Sequence, residues 1–248
     1  MRSWQYWFFL VAPIAFAQSN IKVAPGTVVA GGTGYANITI TSPTSTSEPS
    51  GLEWTLTYSS SVVSALKITA GGATTSAGKS LTCTTGTGQV RCIVWGLNTN
   101  SIANGILAST SFAVSVAAPA TSTLGLTGLT AVSSAGKSIA ANETGGTLTI
   151  LPAAKISTLT CASKSIVSLG KDTCTVTLVS KAIEAVTVSL GLGTGSAKVT
   201  IPASTIVWAG STTASFTVTA GKVTANSTAI LAASLNGSSR TDTLSLSP

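Results

Sequence analysis

The tripeptide Gly-Lys-Ser occurs twice, at 78–80 and 136–138, and it is the end of the loop with which many proteins hold a nucleotide phosphate. Such a loop begins with a glycine five residues before its second glycine, but Ala73 and Ala131 stand there. It also leads into a helix with free amide groups, whereas "LTCTT" and "IAANE" follow here. We interpret both copies as tight turns whose lysines face water, and we expect no nucleotide binding.

Other catalytic groups are sparse. The chain has no histidine, which excludes Ser-His and Cys-His nucleophile systems. Its six acidic residues are dispersed, whereas a glycosidase needs two carboxylates facing each other across a cleft and a calcium site needs several oxygen ligands close together. We expect Glu53 on the polar face of a strand and the other five in turns or loops. The sequence therefore predicts no enzymatic activity, no cofactor and no metal.

Four cysteines are the remaining reactive groups: Cys83, Cys92, Cys161 and Cys174. Their spacing does not fit the close pairs of zinc sites. In an exported chain they are expected to form two disulfides, and four cysteines allow three pairings. We favour the local pairs Cys83–Cys92, which flank a hairpin turn, and Cys161–Cys174, which flank a loop, because each pair then stays inside one domain.

The N-terminus has the features of a secretory signal. Arg2 precedes the apolar run "FFLVAPIAFA", which ends in a small-x-small pattern. The run is too short to cross a bilayer, which takes about 20 residues. We expect residues 1–17 to be a signal peptide cleaved after Ala17. The mature protein is then secreted or associated with a cell surface, without membrane insertion.

Charge excludes one class of partner. Only 8% of the residues are charged, the net charge is +7, and the lysines stand singly along the sequence. Nucleic-acid-binding surfaces cluster basic residues and interleave exposed aromatics, so we expect no nucleic acid. A diffuse attraction to acidic surfaces is the only consequence that we draw from the positive balance.

The apolar residues alternate with a period of two, which indicates β-strands. In "LEWTLTY", Leu52, Trp54 and Leu56 share one face. Many such short runs, separated by Gly, Asn and Pro, are typical of sandwiches or barrels, and no convincing amphipathic helix interrupts them. We predict an all-β protein with two β-sandwich domains, residues 18–152 and 153–248.

Three stretches of the first domain resemble a cohesin-type module: "ANITITS", "GLEWTLTYSSSVVSALKITAGGAT" and "NSIANGILASTSFAVSV". In the last one the matching residues run from Ile102 through Asn104 and Gly105 to Phe112 and Val114. The resemblance covers about residues 20–152 and implies a jelly-roll sandwich that docks dockerin-bearing enzymes of polysaccharide breakdown without being catalytic. The chain departs from that family in its cysteine hairpin, and it has neither a dockerin nor a repeated cohesin.

The second domain is similar to bacterial immunoglobulin-like repeats of surface and secreted proteins. The residues that carry this similarity are "LTCASKSIVSLGKDTCTVTLVSKA", "VTIPASTIVWAGSTTASFTVTA" and "LNGSSRTDTLSLSP". Such modules are usually spacers that hold another domain away from a surface. The similarity therefore implies that residues 153–248 present the first domain.

Three functions stay open from the sequence. The first is a cohesin-like module that docks an extracellular protein, dockerin-like or a surface protein, or a glycan; the second is a carbohydrate-binding module proper; the third is a structural part of a surface or adhesive assembly. A flat glycan surface needs exposed rings, and we take Trp95 and Tyr35 as the candidate ligand-binding residues. The aromatic residues in phase with core aliphatics are Trp54, Tyr58, Phe112 and Phe216.

Overall fold

The computed structural model describes residues 18–194, 196 and 198–248. The predicted signal peptide lies outside the described residues. Those residues form twenty β-strands, one short α-helix and one 3-10 turn, which confirms the all-β prediction. Among them, no helix has the length and apolar character needed to span a membrane. The chain divides into two compact units, residues 18–28 with 33–150 and residues 29–32 with 151–248. The sequence predicts a single domain boundary, after residue 152.

The first unit is a β-sandwich of two sheets. Its strands are β1 (Ser19–Val23), β2 (Gly26–Val29), β3 (Thr33–Thr41), β4 (Gly51–Tyr58), β5 (Val63–Ala70), β6 (Ser80–Gly86), β7 (Gln89–Trp95), β8 (Gly105–Val114), β9 (Thr121–Val132), β10 (Ala141–Thr144) and β11 (Gly146–Leu151). Sheet A has the order β10-β1-β3-β8-β5, and sheet B has the order β2-β11-β9-β4-β7-β6. A 3-10 turn at Ser45–Ser47 and helix α1 (Gly72–Ser76) lie in the connections.

The chain crosses from sheet A to sheet B twice on one side of this sandwich. β1 pairs with β10 in parallel in sheet A, and each is followed directly by a strand of sheet B. The second crossing passes through Gly145 and Gly146. A Cβ atom at Gly145 would lie 2.8 Å from the carbonyl oxygen of Leu124, so a side chain would collide with the backbone there. The glycines thus permit a close crossing that joins the edges of the two sheets.

Alternation along the strands builds the core between the sheets, as the period of two predicts. Leu52, Trp54 and Leu56 point inward from β4 and are buried, and Phe112 of β8 is buried as well. Tyr58, at the end of β4, is half-buried. Phe112 lies over Gly34 of the neighbouring strand β3, and a Cβ atom at Gly34 would overlap its ring. This packing requires glycine at position 34.

The second unit is also a sandwich of two sheets. Its strands are β12 (Ile156–Cys161), β13 (Ser165–Val167), β14 (Lys171–Leu178), β15 (Val186–Leu192), β16 (Val199–Thr200), β17 (Ser204–Val207), β18 (Thr213–Ala220), β19 (Ser227–Leu235) and β20 (Ser238–Ser247). Sheet C has the order β12-β14-β18-β16, and sheet D has the order β13-β20-β19-β15-β17. β13 pairs with β20 in parallel. Its core includes Cys174, Val188, Phe216 and Leu231.

Three acidic residues lie on strands, which corrects the expectation that they occupy turns or loops. Glu143 is on β10, Asp172 on β14 and Asp242 on β20. Each carboxylate accepts a hydrogen bond from the main-chain N–H of a residue outside its own strand, at 2.8 to 3.0 Å. The donors are Leu129, Ser163 and Cys161, respectively. These acids therefore satisfy backbone donors.

Candidate binding surface

Both Gly-Lys-Ser sequences are turns, as predicted. Gly78 has a φ of +65° and Gly136 a φ of +71°, and β6 begins at Ser80 without an intervening helix. Lys137 is exposed, but the expectation that both lysines face water is wrong for Lys79, which is buried. The absence of nucleotide binding stays a prediction.

Lys79 is buried because the segment after β7 folds over it. The Lys79 Nζ donates a hydrogen bond of 2.8 Å to the carbonyl oxygen of Asn98, and the Asn98 side chain donates one of 2.9 Å to the carbonyl oxygen of Gly78. Desolvation lowers the pKa of Lys79 from its ordinary value. The lysine therefore ties two loops together beside the end of β7.

The four cysteines form the two predicted local disulfides, Cys83–Cys92 and Cys161–Cys174. In each pair the two residues stand directly opposite each other on neighbouring antiparallel strands, β6 with β7 and β12 with β14. Asp172 lies close to the second pair, and the three residues have the composition of a metal-binding cluster. Because both sulfur atoms belong to the disulfide, they offer no thiolate ligand.

Two of the three other acidic side chains, Glu53 and Glu48, also have structural partners. Glu53 forms an ion pair with Arg91 on the neighbouring strand, which raises the pKa of Arg91 chiefly through their hydrogen bond. Glu48 accepts a hydrogen bond of 3.1 Å from the Ser101 hydroxyl. These contacts give the carboxylates stabilising roles. That the protein is not an enzyme stays a prediction.

The two candidate aromatic residues are exposed on opposite sides of the first sandwich. Trp95 is 49% exposed and points outward from β7 in sheet B. Tyr35 is 70% exposed and points outward from β3 in sheet A. They cannot form one site, because both sheets and the core lie between them.

The outward side chains of β4, β6, β7 and β9 form one continuous surface, here called the Trp95 face. Strand register places Glu53 between Ile93 and Thr130 and places Thr55 between Arg91 and Thr127. Short hydroxyl side chains cover most of the remaining area, so a partner can approach the backbone closely. They belong to Thr55, Thr57, Thr82, Thr84, Thr127 and Thr130.

A groove crosses one end of the Trp95 face. Gly51 of β4 stands opposite Val132 of β9, and Trp95 lies on the other side of β4. A Cβ atom at Gly51 would lie 3.0 Å from the Val132 Cγ2 atom, so the missing side chain leaves the space open. The resulting groove has a volume of ≈ 390 Å³, and its walls include the exposed apolar side chains of Ile93, Trp95 and Val132.

Neighbouring strands fix the positions of these walls. The Trp95 Nε1 atom donates a hydrogen bond of 3.0 Å to the Thr82 hydroxyl on β6, which orients the indole ring. The ion pair between Glu53 and Arg91 lies next to Ile93 and links the two neighbouring strands β4 and β7. The groove thus has apolar walls, and polar groups that include Glu53, Lys79 and several hydroxyls line the rest of it.

The outer face of sheet A differs in composition. Tyr35 stands opposite Ser111 of β8, and Lys67 of β5 lies on the other side of Ser111. Asn37 accepts a hydrogen bond of 3.0 Å from the Ser109 hydroxyl. The immediate neighbours of the Tyr35 ring across the strands are therefore polar.

Gly51, Ile93 and Val132 were not identified from the sequence as parts of a surface. The alternation of "QVRCIVW" does place Arg91, Ile93 and Trp95 on one side of a strand. The groove itself depends on which strand lies beside β4, and alternation within one strand carries no information on strand order.

No family model matches the sequence, and no curated protein matches it. Among solved structures, the chain is similar to the type I cohesin–dockerin complex Coh-OlpC–Doc435 from Clostridium thermocellum. The identity is 15% and the TM-score 0.50, over 57% of this chain and 98% of that chain.

Two further cohesin structures are similar over 54% of this chain. One is the sixth cohesin of scaffoldin B from Acetivibrio cellulolyticus, in complex with a Cel5 dockerin mutant, at 15% identity, a TM-score of 0.49 and 99% of that chain. The other is a non-cellulosomal cohesin from the archaeon Archaeoglobus fulgidus, at 17% identity, a TM-score of 0.46 and 92% of that chain. At the identity of the Clostridium match, the likeness concerns the fold alone: the first unit has a cohesin-like jelly-roll fold.

Proposed function

We propose that the first unit is a non-catalytic docking module that binds an extracellular protein partner through the Trp95 face. The observation that carries this proposal is the groove over Gly51, with its exposed walls of Trp95, Ile93 and Val132. Stable protein interfaces have an apolar centre, a polar rim and an enrichment of Trp and Arg among their strongest contacts. The Trp95 face combines these features.

The similarity to a solved cohesin–dockerin complex supports a dockerin-like protein as the partner. The similar structure from Clostridium thermocellum is a complex of a cohesin with a dockerin. A dockerin-like protein is therefore the partner that we propose, in an extracellular setting of polysaccharide breakdown. Two disulfides support an oxidising compartment outside the cytoplasm, and so support secretion.

We further propose that the second unit is an immunoglobulin-like spacer. Strands β12, β14 and β18 pair in that order in sheet C. The other main strands pair in the order β20, β19, β15, β17 in sheet D. This distribution of strands is that of immunoglobulin-like sandwiches. The disulfide Cys161–Cys174 departs from antibody domains, because it joins neighbouring strands of one sheet instead of the two sheets.

Carbohydrate binding is the second candidate, because Trp95 is an exposed ring on the outer face of sheet B. A ring of this kind stacks on a sugar face. The other exposed aromatic residue that the structure describes in the first unit, Tyr35, lies on the opposite sheet, so the Trp95 face offers one ring where an extended glycan needs several in a line. A protein partner therefore fits the face better than a glycan does.

The test uses the full chain, immobilised and incubated with the secreted fraction of its host. The double variant Trp95→Ala, Ile93→Ser removes the groove walls, and Tyr35→Ser is the matched control on the opposite face. We expect one protein to be retained by the parent and by the Tyr35 variant and to be lost with the double variant. Equal retention by all three, or no retained protein, contradicts the proposal.

A glycan array run with the same three proteins distinguishes carbohydrate binding from protein docking. Glycan retention that requires Trp95, without any retained protein, assigns the face to carbohydrate. If both assays are blank and only contacts between copies of the chain appear, the protein is a structural component and the docking proposal is wrong.

A further inference from the structure

The turn after β13, here taken to include the last residue of that strand and called the loop, presents two aliphatic side chains to solvent. Val167 is 61% exposed and Leu169 is 71% exposed. Leu169 also has a φ of +64°, in the left-handed region that a leucine rarely adopts because its Cβ atom crowds the backbone. An exposed apolar side chain on a strained backbone does not stabilise the domain, so the position indicates a role in binding.

Backbone hydrogen bonds on several sides hold this loop in place. Ser168 N–H donates to the carbonyl oxygen of Ser247 at 2.8 Å, and Leu169 N–H donates to that of Gly221 at 3.1 Å. The Ser168 hydroxyl accepts a hydrogen bond of 3.0 Å from Val223 N–H. The loop is thus anchored through its backbone, and its two aliphatic side chains are left free to contact something else.

Three lysines from separate segments of the chain stand at the same end of the sandwich as this loop. Lys171 begins β14 directly after the loop, and Lys222 directly follows Gly221. Gly221 N–H also donates to the carbonyl oxygen of Lys198 at 2.7 Å, which brings the third lysine to the same end of the sandwich. All three are exposed, and none forms an ion pair with an acidic side chain among the residues that the structure describes.

The nearest acidic residue in sequence does not neutralise these lysines. Asp172 follows Lys171 on β14, so its side chain leaves the strand on the other side. Its carboxylate accepts hydrogen bonds from the main-chain N–H groups of Ser163 and Thr173, at 3.0 and 2.8 Å. The end of the sandwich that carries Leu169 therefore presents positive charge around an apolar tip.

We propose that this end of the second unit is a membrane-docking tip that binds an anionic lipid surface. Val167 and Leu169 enter the boundary between headgroups and acyl chains, while Lys171, Lys198 and Lys222 lie over anionic headgroups. A soluble polyanion would attract the lysines, but it offers no apolar phase for the two aliphatic side chains. The bilayer is therefore the partner that uses both parts of the tip.

The first experiment is co-sedimentation of the full chain with lipid vesicles. We expect binding to vesicles of equal parts phosphatidylglycerol and phosphatidylcholine and none to phosphatidylcholine alone. Binding is lost at about 1 M salt, where the Debye length falls to about 3 Å. Equal binding to both vesicle types, no binding to either, or binding to an acidic polysaccharide with none to lipid overturns the proposal.

Changing the apolar tip separates lipid binding from folding. Leu169→Asn replaces the side chain with one that accepts the left-handed conformation, so the thermal midpoint of unfolding is expected to stay the same or rise. Vesicle affinity is expected to fall about tenfold because the apolar insertion is lost. Val179→Asn is the control: Val179 is equally exposed but follows the opposite end of β14. Unchanged affinity with Leu169→Asn contradicts the insertion.

Changing the charges tests the other half of the tip. Each lysine near an anionic membrane contributes about fivefold to binding, so the triple variant Lys171→Gln, Lys198→Gln, Lys222→Gln should bind about a hundredfold more weakly. Lys181→Gln is the control, because Lys181 is exposed beyond the opposite end of β14. A loss of the same size with the control, or none with the triple variant, shows that the tip is not the binding site.

Discussion

Removal of the disulfide Cys83–Cys92 tests how the edge of sheet B is stabilised. The two cysteines are separated by 9 positions, so the bridge closes a loop of about ten residues. Loop-closure entropy for that length corresponds to about 2.7 kcal/mol at 25 °C. The double variant Cys83→Ala, Cys92→Ala should lower the free energy of unfolding of the first unit by about that amount. β6 should stay paired with β7, because seven register pairs join the two strands.

The assay is denaturant unfolding followed by tryptophan fluorescence in a background with Trp95→Phe and Trp208→Phe, so that the signal comes from Trp54, which is fully buried in the first unit. The midpoint should fall, and the slope should stay constant or rise slightly, because the unfolded chain without the bridge exposes at least as much surface. Reduced parent protein shows how much of the loss comes from the bridge itself. The control variant Cys161→Ala, Cys174→Ala should leave the Trp54 transition unchanged. A loss below about 1 kcal/mol would refute the loop-closure reasoning.

Two further predictions concern packing and pH. Gly34→Ala should destabilise the first unit by about 3 kcal/mol, because the new methyl group overlaps the Phe112 ring, whereas Gly136→Ala, which meets only open space at a φ of +71°, should cost about 1 kcal/mol in the same denaturation assay. Burial raises the pKa of Asp242, but hydrogen bonds from Lys164 and two backbone N–H groups outweigh it, so the pKa lies below its ordinary value. The stability that this carboxylate contributes is therefore present above the ordinary pKa and is lost as the pH falls through the lower pKa of the folded state. Asp242→Asn should remove about 2 kcal/mol at pH 7 and flatten that acid-side loss in unfolding curves taken across the pH range. Equal losses for the two glycine variants, or an unchanged pH profile, would contradict these assignments.

The strand content and the core could be predicted from the sequence because side-chain alternation is local information. Trp54 and Phe112 are in phase with neighbouring aliphatic residues, and both are buried. The disulfide pairing could be predicted for the same reason, since each pair spans a single hairpin or loop. The order of strands in the sheets could not be predicted, because it depends on contacts between distant segments of the chain.

The functional surfaces illustrate that limit. The sequence offered Trp95 and Tyr35 as candidate ligand-binding residues, but it could not show that they lie on different sheets, because that depends on strand order. Lys79 was expected in water, yet the loop that carries Asn98 covers it. Three of the lysines that stand singly in the sequence lie at one end of the second sandwich, because the turns around Gly221 bring distant segments together.

Hydroxyl-radical footprinting of the full chain, alone and with the protein retained from the secreted fraction, tests the docking proposal most directly. Three exposed aromatic side chains report on three surfaces: Trp95 on the proposed face, Tyr35 on the opposite face, and Trp208, 66% exposed, on the second unit. We predict that the partner protects Trp95 from oxidation and leaves Tyr35 and Trp208 unchanged. Protection of Tyr35 or Trp208 with full oxidation of Trp95 would contradict the central claim, because the partner would then bind elsewhere.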